Sequence, residues 1–404
     1  MSDIRVLIVD DSAVVRRVLA RIVEDAPGLM VAGQAGNGRL ALEMIRELEP
    51  DLVTLDVEMP ELDGLATLKE LRRHWPRLPV IMFSTLTSRG AATTIEALSA
   101  GASDYLTKPE GASSLQESME RLRLDLVPRV KALARVRKPM GAPPSAPVAP
   151  AAAPLTKTAT RETRPSSMSP ASALSTASQA ARTPLPVYRP TEIKDWPESG
   201  RFLTRPAELL VIGVSTGGPN ALARLMPNLP ANLSVPVLIV QHMPPLFTRM
   251  LAERLDASCP LKVREAEAGA PLLPGEAWIA RGDWHLEVAR QGMRLILREH
   301  QGPPVNSCRP AVDILFDSAV KACGGNLVSV VLTGMGQDGM KGARAIREAG
   351  GLVLAQDEDS SVVWGMPGAV AMAGLADAVL PLDAMAARVQ QALRPGRASV
   401  GRTN

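Results

Sequence analysis

The stretch IRVLIVDD (residues 4–11) sets the reading of the fold. An apolar run interrupted only by Arg5 ends in two acids, the pattern of a strand buried on both faces of a parallel sheet. From Ser12 to Asp25 the residues Val14, Val15, Val18, Leu19, Ile22 and Val23 follow at helical spacing, with Ser12 placed as an N-cap. Strand-like runs return in MVAGQA (30–35), DLVTLD (51–56), PVIMFS (79–84) and DYLTKP (104–109), with helix-like segments between them. Strands alternating with helices predict an α/β domain with a doubly wound parallel sheet.

The same pattern restarts in the second half. ELLVIGVS (208–215), VPVLIVQH (235–242), LVSVVLTG (327–334) and GLVLAQD (351–357) read as strands, most followed by helical segments. Between them, GEAWIARGDWHLEVARQGMRLILRE (275–299) alternates with a period of two between glycine turns. It predicts an antiparallel hairpin inserted into a second, Rossmann-like sheet domain. The two halves are separated by a compositional change. APPSAPVAPAAAPLTKTAT (142–160) and PSSMSPASALSTASQAA (165–181) are rich in Ala, Pro and Ser and carry no apolar periodicity. Such a segment cannot bury enough surface to offset its ordering entropy, so a long disordered linker is expected, with a short helix near its start through Arg137. The expected divisions are a first domain at 1–127, the linker at 128–206, a second domain at 207–395 and a tail at 396–404.

Composition narrows the function. The chain has 404 residues, 46% hydrophobic and 22% charged, enough for two ordinary domains. It holds no apolar run of the ~20 residues that crossing a bilayer requires. The N-terminus lacks the basic start and uninterrupted apolar core of a signal peptide, so a cytoplasmic protein with no membrane insertion is expected. Three cysteines, Cys259, Cys308 and Cys323, with no CxxC pair, argue against a disulfide framework or a structural zinc site. Cys308 as a nucleophile would need an activating partner that the sequence does not identify. Of the formal net charge of +3, residues 129–205 hold 13 Lys or Arg against 4 Asp or Glu, which is +9 and leaves −6 for the remainder. The basic excess thus lies in the connector. With only 3% aromatic residues, a nucleic-acid partner is not expected.

Two sets of residues carry chemistry. In the first half, Asp10, Asp11, Asp56, Ser84 and Lys108 all fall at the carboxyl ends of strands, where an open parallel sheet forms its ligand crevice. Three carboxylates there repel one another unless a cation joins them, and a hard oxygen set with open water positions suits Mg²⁺. Asp56 then becomes the phosphoryl acceptor, with the metal and Lys108 neutralising the transferred group. This region, over about residues 3–125, resembles a response-regulator receiver domain. The resemblance implies Asp56 as the phosphoacceptor, Asp11 as a direct metal ligand and Asp10 acting largely through water. It also implies Ser84 and Tyr105 as switch residues beside Lys108, and a histidine kinase as phosphodonor. Thr85 stands where many receivers have a smaller residue.

In the second half, GVSTG (213–217) fits the G-x-S-x-G elbow that exposes a serine at a strand-to-helix turn. The stretch nearly fits a dinucleotide fingerprint, but Ser215 stands where the middle glycine must let a pyrophosphate approach. A serine nucleophile needs a base. Of the four histidines, His242 follows a strand end as Ser215 does; His74 lies in the other domain, and His285 and His300 lie in and beside the hairpin. Asp338, in the glycine-rich turn of SVVLTGMGQDGM (329–340), is the strand-end acid to orient the base, with Asp357 as the alternative.

IGVSTGGP, VQHMP, PPVNSCRPAVDILF and LTGMGQDG together resemble the catalytic domain of chemotaxis-type protein-glutamate methylesterases, over about residues 209–392. The resemblance implies a Ser215–His242–Asp338 triad, Thr216 helping to hold the imidazole, and Met335 giving a backbone donor to the oxyanion. It implies methylated glutamates of methyl-accepting chemoreceptors as substrate, with deamidation of certain glutamines as a second activity, and no cofactor for the esterase. Phosphorylation of Asp56 would relieve a block by the receiver. The linker, about 75 residues on the sequence reading, is long for that family, which weakens a tethered block. A monomer is expected. The competing readings are a receiver-regulated binding module with an inactive second domain and a DNA-binding regulator, the latter without a helix-turn-helix pattern to support it.

Overall fold

The first domain is a five-stranded sheet in the order β2-β1-β3-β4-β5, with every adjacent pair parallel. Its strands are β1 (Ile4–Val9), β2 (Leu29–Ala35), β3 (Leu52–Asp56), β4 (Val80–Ser84) and β5 (Asp104–Thr107). The helices are α1 (Ala13–Glu24), α2 (Gly38–Leu48), α3 (Gly64–His74), α4 (Ser88–Ser99) and α5 (Leu115–Arg137). The computed structural model describes residues 3–108, 115–137 and 203–393. Ser12 caps α1 as its sequence position implies, its hydroxyl accepting from the Val15 N–H. Leu52–Asp56 and Val80–Ser84 are buried along their whole length, as central parallel strands must be. All five expected strands are present. Their order is the flavodoxin-like one, whose switch point lies between β1 and β3.

One difference concerns the end of this domain. α5 runs through Pro128 to Arg137, past the boundary drawn at residue 127. A proline inside a helix forfeits one N–H and costs ~3 kcal/mol. Here the apolar stripe continues across it, with Leu126, Val130, Leu133 and Ala134 all buried, and that packing holds the helix together. Arg129, counted above with the basic connector, pairs with Asp104 at 3.1 Å. The remainder of the expected linker up to residue 202, and the expected tail, lie outside the described residues.

The second domain has a seven-stranded sheet in the order β14-β13-β12-β6-β7-β9-β8, again parallel at every pairing. Its strands are β6 (Leu209–Val214), β7 (Val237–Gln241), β8 (Lys262–Glu265), β9 (Glu276–Ile279), β12 (Leu327–Val331), β13 (Leu352–Gln356) and β14 (Ala378–Leu380). β10 (His285–Gln291) and β11 (Arg294–His300) form a separate antiparallel pair. The helices are α6 (Gly218–Leu225), α7 (Phe247–Ser258), α8 (Val312–Cys323), α9 (Met340–Glu348), α10 (Met366–Met372) and α11 (Leu382–Ala392). The expected hairpin therefore begins only at His285. EAWI, read as part of it, instead enters the main sheet beside β7, because Ala277, Trp278 and Ile279 are buried between layers. β8 and β14, of four and three residues, are too short to declare themselves in the sequence.

The two domains touch through α4 and the start of β5. Asn220 Nδ2 donates to the Ala102 carbonyl at 2.9 Å, and Arg254 Nη1 to the Ile95 carbonyl at 2.8 Å. The Tyr105 ring stacks on Phe247, with centroids 4.8 Å apart.

Candidate active site and phosphoacceptor pocket

β6 sits at the switch point of the second sheet: the chain leaves it toward β7 on one side and returns to β12 on the other. A ligand crevice opens there, at the carboxyl ends of the strands. Val214 pairs with Gln241 in register, so the residues that follow, Ser215 and His242, leave adjacent strands side by side. The His242 N–H bonds to the Val214 carbonyl at 3.2 Å, and the Ser215 N–H to the Thr333 carbonyl of the β12 side at 3.0 Å. The turn between β6 and α6 is three residues long. Gly217 takes φ +75°, and a Cβ there would stand 2.5 Å from Val362. A Cβ on Gly218 would collide with the Gln241 amide, whose Nε2 in turn donates to the Ser215 carbonyl at 3.0 Å. Close packing thus makes the elbow sharp and leaves Ser215 partly accessible.

His242 Nε2 meets Asp338 Oδ2 at 2.8 Å. Asp338 is 2% exposed, yet its carboxylate collects donors on both oxygens. Oδ2 also accepts the Val312 N–H at 2.7 Å, and Oδ1 accepts Asn306 Nδ2, the Asp313 N–H and the Gly339 N–H at 2.8, 3.1 and 3.0 Å. Burial pushes the Asp338 carboxyl up, but His242 and these N–H groups outweigh it and hold it below the usual carboxylate value. For His242, burial opposes the charge, while Asp338 and the Cys308 thiol overcome it and push the imidazole up to about 9.

The other histidines serve elsewhere. His285 is buried between the Pro303 carbonyl and the Ala311 N–H, and burial lowers its affinity for protons. His300 Nδ1 accepts the Gly302 N–H, and His74 pairs with Glu70 on α3. Asp357, the alternative acid, instead caps its own turn by accepting from Ser360. Gly334 abuts the serine, since a Cβ there would lie 2.8 Å from Ser215 Cβ. This brings Met335, the next residue, to the mouth of the site, and its N–H makes no backbone hydrogen bond among the described residues.

Two placements depart from expectation. Thr216, expected against the imidazole, is buried, and its side chain acts on Asp104 of the first domain, lowering that carboxyl against the larger effect of burial. Cys308, for which the sequence supplies no partner, lies with Sγ 3.5 Å from His242 Nδ1. Asn306 and Asp313, both within the 303–316 stretch, were not singled out by sequence reasoning. Only the folded chain brings them to Asp338.

In the first domain, Asp10, Asp11 and Asp56 offer oxygens within 4.8 Å of one another. Lys108 Nζ stands 3.0 Å from Asp10 Oδ2 and 2.8 Å from Asp56 Oδ2. Both oxygens are buried, and neither makes a well-aligned hydrogen bond among the described residues, so the pocket keeps acceptor capacity that a hard cation fits. Burial first, and the Asp10 charge after it, push Asp56 up to about 6 against the lowering effect of Lys108. Arg16 Nη1 ties the Asp10 and Asp11 carbonyls at 2.7 and 3.0 Å, fixing the loop that carries both acids. Ser84 is buried with its hydroxyl on the Thr85 carbonyl at 3.1 Å, and Thr85 itself is half-buried. Tyr105 is buried against Phe247.

Comparison with known proteins agrees with this division. The CheB methylesterase model matches residues 210–389 and the response regulator receiver domain model residues 6–120. A protein-glutamate methylesterase/protein-glutamine glutaminase of a Nocardioides species is 48% identical over 99% of this chain and 98% of its own length. Similarly named proteins of Trichodesmium erythraeum and Maricaulis maris are 43% and 44% identical, covering 96% and 94% of this chain and 99% and 93% of their own. Identity of that order along nearly the whole length, with both models in the order the two folds occur, means that the chain belongs to the CheB methylesterase family, with a response regulator receiver domain ahead of its catalytic domain.

Proposed function

We propose that the protein is a phosphorylation-regulated serine esterase that removes methyl groups from glutamate methyl esters on chemoreceptors. The observation that carries this reading is the register of β6 and β7. It sets Ser215 beside His242, whose far nitrogen is held by Asp338 at 2.8 Å. In the proposed reaction, Ser215 Oγ attacks the γ-carbonyl carbon while His242 Nδ1, the nitrogen not bonded to Asp338, takes the hydroxyl proton. The Met335 N–H stabilises the oxyanion. The proton then passes to the methoxy oxygen, methanol leaves, and a glutamyl ester of Ser215 remains. Water gives its proton to His242 and adds to that ester, and collapse returns the proton to Ser215 and releases glutamate. Asp338 stabilises the imidazolium throughout. The same cycle with ammonia as the leaving group deamidates a glutamine.

In the receiver, Asp56 accepts a phosphoryl group from a histidine kinase. Asp10, Asp11 and Asp56 would hold Mg²⁺, which supplies neutralisation of the incoming charge. Lys108 adds a second positive charge on the same oxygens. The contacts of Asn220, Arg254, Tyr105 and Asp104 with the partner domain support a resting state in which the receiver restrains the esterase. We place the protein in the cytoplasm as a monomer that does not bind nucleic acid; no described helix is long and apolar enough to cross a membrane. The domain limits follow the sequence reading, with the first domain extended to the end of α5.

Replacing Ser215 with Ala should lower methanol release from methylated receptor membranes by ~10⁴-fold or more. Near-normal release by that variant would remove the serine from the reaction. The Cys308–His242 contact favours one second reading, in which the thiol is the nucleophile. In that case Cys308→Ala would abolish turnover and Ser215→Ala would not.

A further inference from the structure

Val305 and Cys308 exchange both backbone hydrogen bonds, at 3.0 and 2.9 Å, around a two-residue turn. Its central residues, Asn306 and Ser307, take φ of +51° and +63°. Positive φ at both positions is a type I′ turn, and asparagine is among the residues that tolerate it. The turn aims the Asn306 amide at two carboxylates on different elements. One nitrogen, Nδ2, stands 2.8 Å from Asp338 Oδ1 and 2.9 Å from Asp313 Oδ2. Asp313 lies in the first turn of α8, and its own N–H also donates to Asp338. Two acids are thus held close together on a single amide, one of them bonded to His242.

We infer that Asn306 is a positioning residue for the esterase, its amide bridging Asp313 and Asp338 so that Asp338 stays ionised and aligned on His242. The inference rests on the proposed triad. Without the bridge, two neighbouring carboxylates oppose one another, and the pair lowers its repulsion by taking up a proton or turning apart. Either response weakens the hold on His242. The direction of burial is consistent with this. It raises Asp313, which has fewer compensating donors, whereas Asp338 stays below its usual value. The titratable groups facing Asp338 are His242 after β7, Asp313 on α8 and His285 on β10, with Cys308 on the far nitrogen of His242.

The test uses the full chain with Asn306→Gly, which keeps the left-handed backbone and removes only the amide. Asn306 is exposed, so the core is untouched. The sign of the effect is fixed. A less anionic Asp338 stabilises imidazolium less, so the His242 titration and the rising limb of kcat against pH both move to lower pH. At the plateau, kcat falls about 10²-fold through misalignment, with KM unchanged. Asp313→Asn in the same chain should recover most of the loss, because the second charge is gone and its amide can donate to Asp338. A plateau that falls only with the folded fraction, with an unmoved limb and no recovery, would overturn the inference. His242 ring titration followed by NMR, with and without Asn306→Gly in a Ser215→Ala background, separates the two levels. Full methanol release by Ser215→Ala alone sinks the triad reading, and an unmoved His242 titration sinks the role of Asn306 in either case.

Discussion

At the residue scale, His242 is the centre of the site. Its Nε2 is bonded to Asp338, and its Nδ1, which receives the serine proton in the proposed reaction, lies 3.5 Å from the Cys308 thiol. A base works only when unprotonated, and here its pKa is raised to about 9. Methanol release should therefore rise with pH from neutrality toward that value. The same shift stabilises the fold fully below the unfolded histidine value near 6.5, and that contribution is lost as pH climbs through about 9. Cys308 is one cause of the shift, so Cys308→Ala should move the rising limb toward neutral pH while leaving the plateau rate intact. A pH–rate profile of the variant checks this. An unmoved limb would show that the thiol does not act on the base.

At the element scale, what positions these residues is close approach. The β6–α6 elbow depends on glycines 217 and 218, the second facing the Gln241 amide that holds the Ser215 carbonyl. Gly218→Ala should cost ~1–3 kcal/mol, because a well-packed site must shift to take the extra carbon. Thermal unfolding measures the loss, and kcat should fall as well, since the Gln241 side chain is what must move. Several features of this scale are legible from sequence. β6, β7 and β13 show themselves as apolar runs ending in polar residues, and β12 does so with Ser329 inside it. β8 and β14 do not, being too short for a period to register, and β9 reads as part of the hairpin because its alternation runs on into β10. α5 passes Pro128 because the buried stripe on its far side cannot be weighed against a proline without the partner surface in view.

At the scale of the whole molecule, the described polar and ring contacts between the receiver and the esterase lie on α4, β5 and the segment that joins them. Thr216, next to Ser215, acts on Asp104, and Tyr105 stacks on Phe247 at the N-terminus of α7. Replacing Asn220 and Arg254 together with Ala removes two cross-domain hydrogen bonds and should raise the unstimulated esterase rate severalfold. It should also shrink the stimulation by a small-molecule phosphodonor with Mg²⁺, and Asp56→Asn should abolish that stimulation. Equal rates in all three proteins, with and without phosphodonor, would sink the restraint model.

The sequence by itself determined the two parallel α/β folds and placed the acids with Lys108, Ser215 and His242 at strand ends, while the resemblance to the methylesterase family is what favours Asp338 over Asp357 as their third member. The strand-end placements follow from an apolar run and the residue that ends it, which is local information. Only the tertiary structure decided what surrounds them: Cys308 on the imidazole, Asn306 between two carboxylates, and Thr216 turned to Asp104. Those contacts span 66, 32 and 7 residues for the first two, and cross from one domain to the other for the third. No periodicity or spacing encodes which turn meets which strand end. That is settled when close packing brings elements distant in the chain within hydrogen-bonding reach.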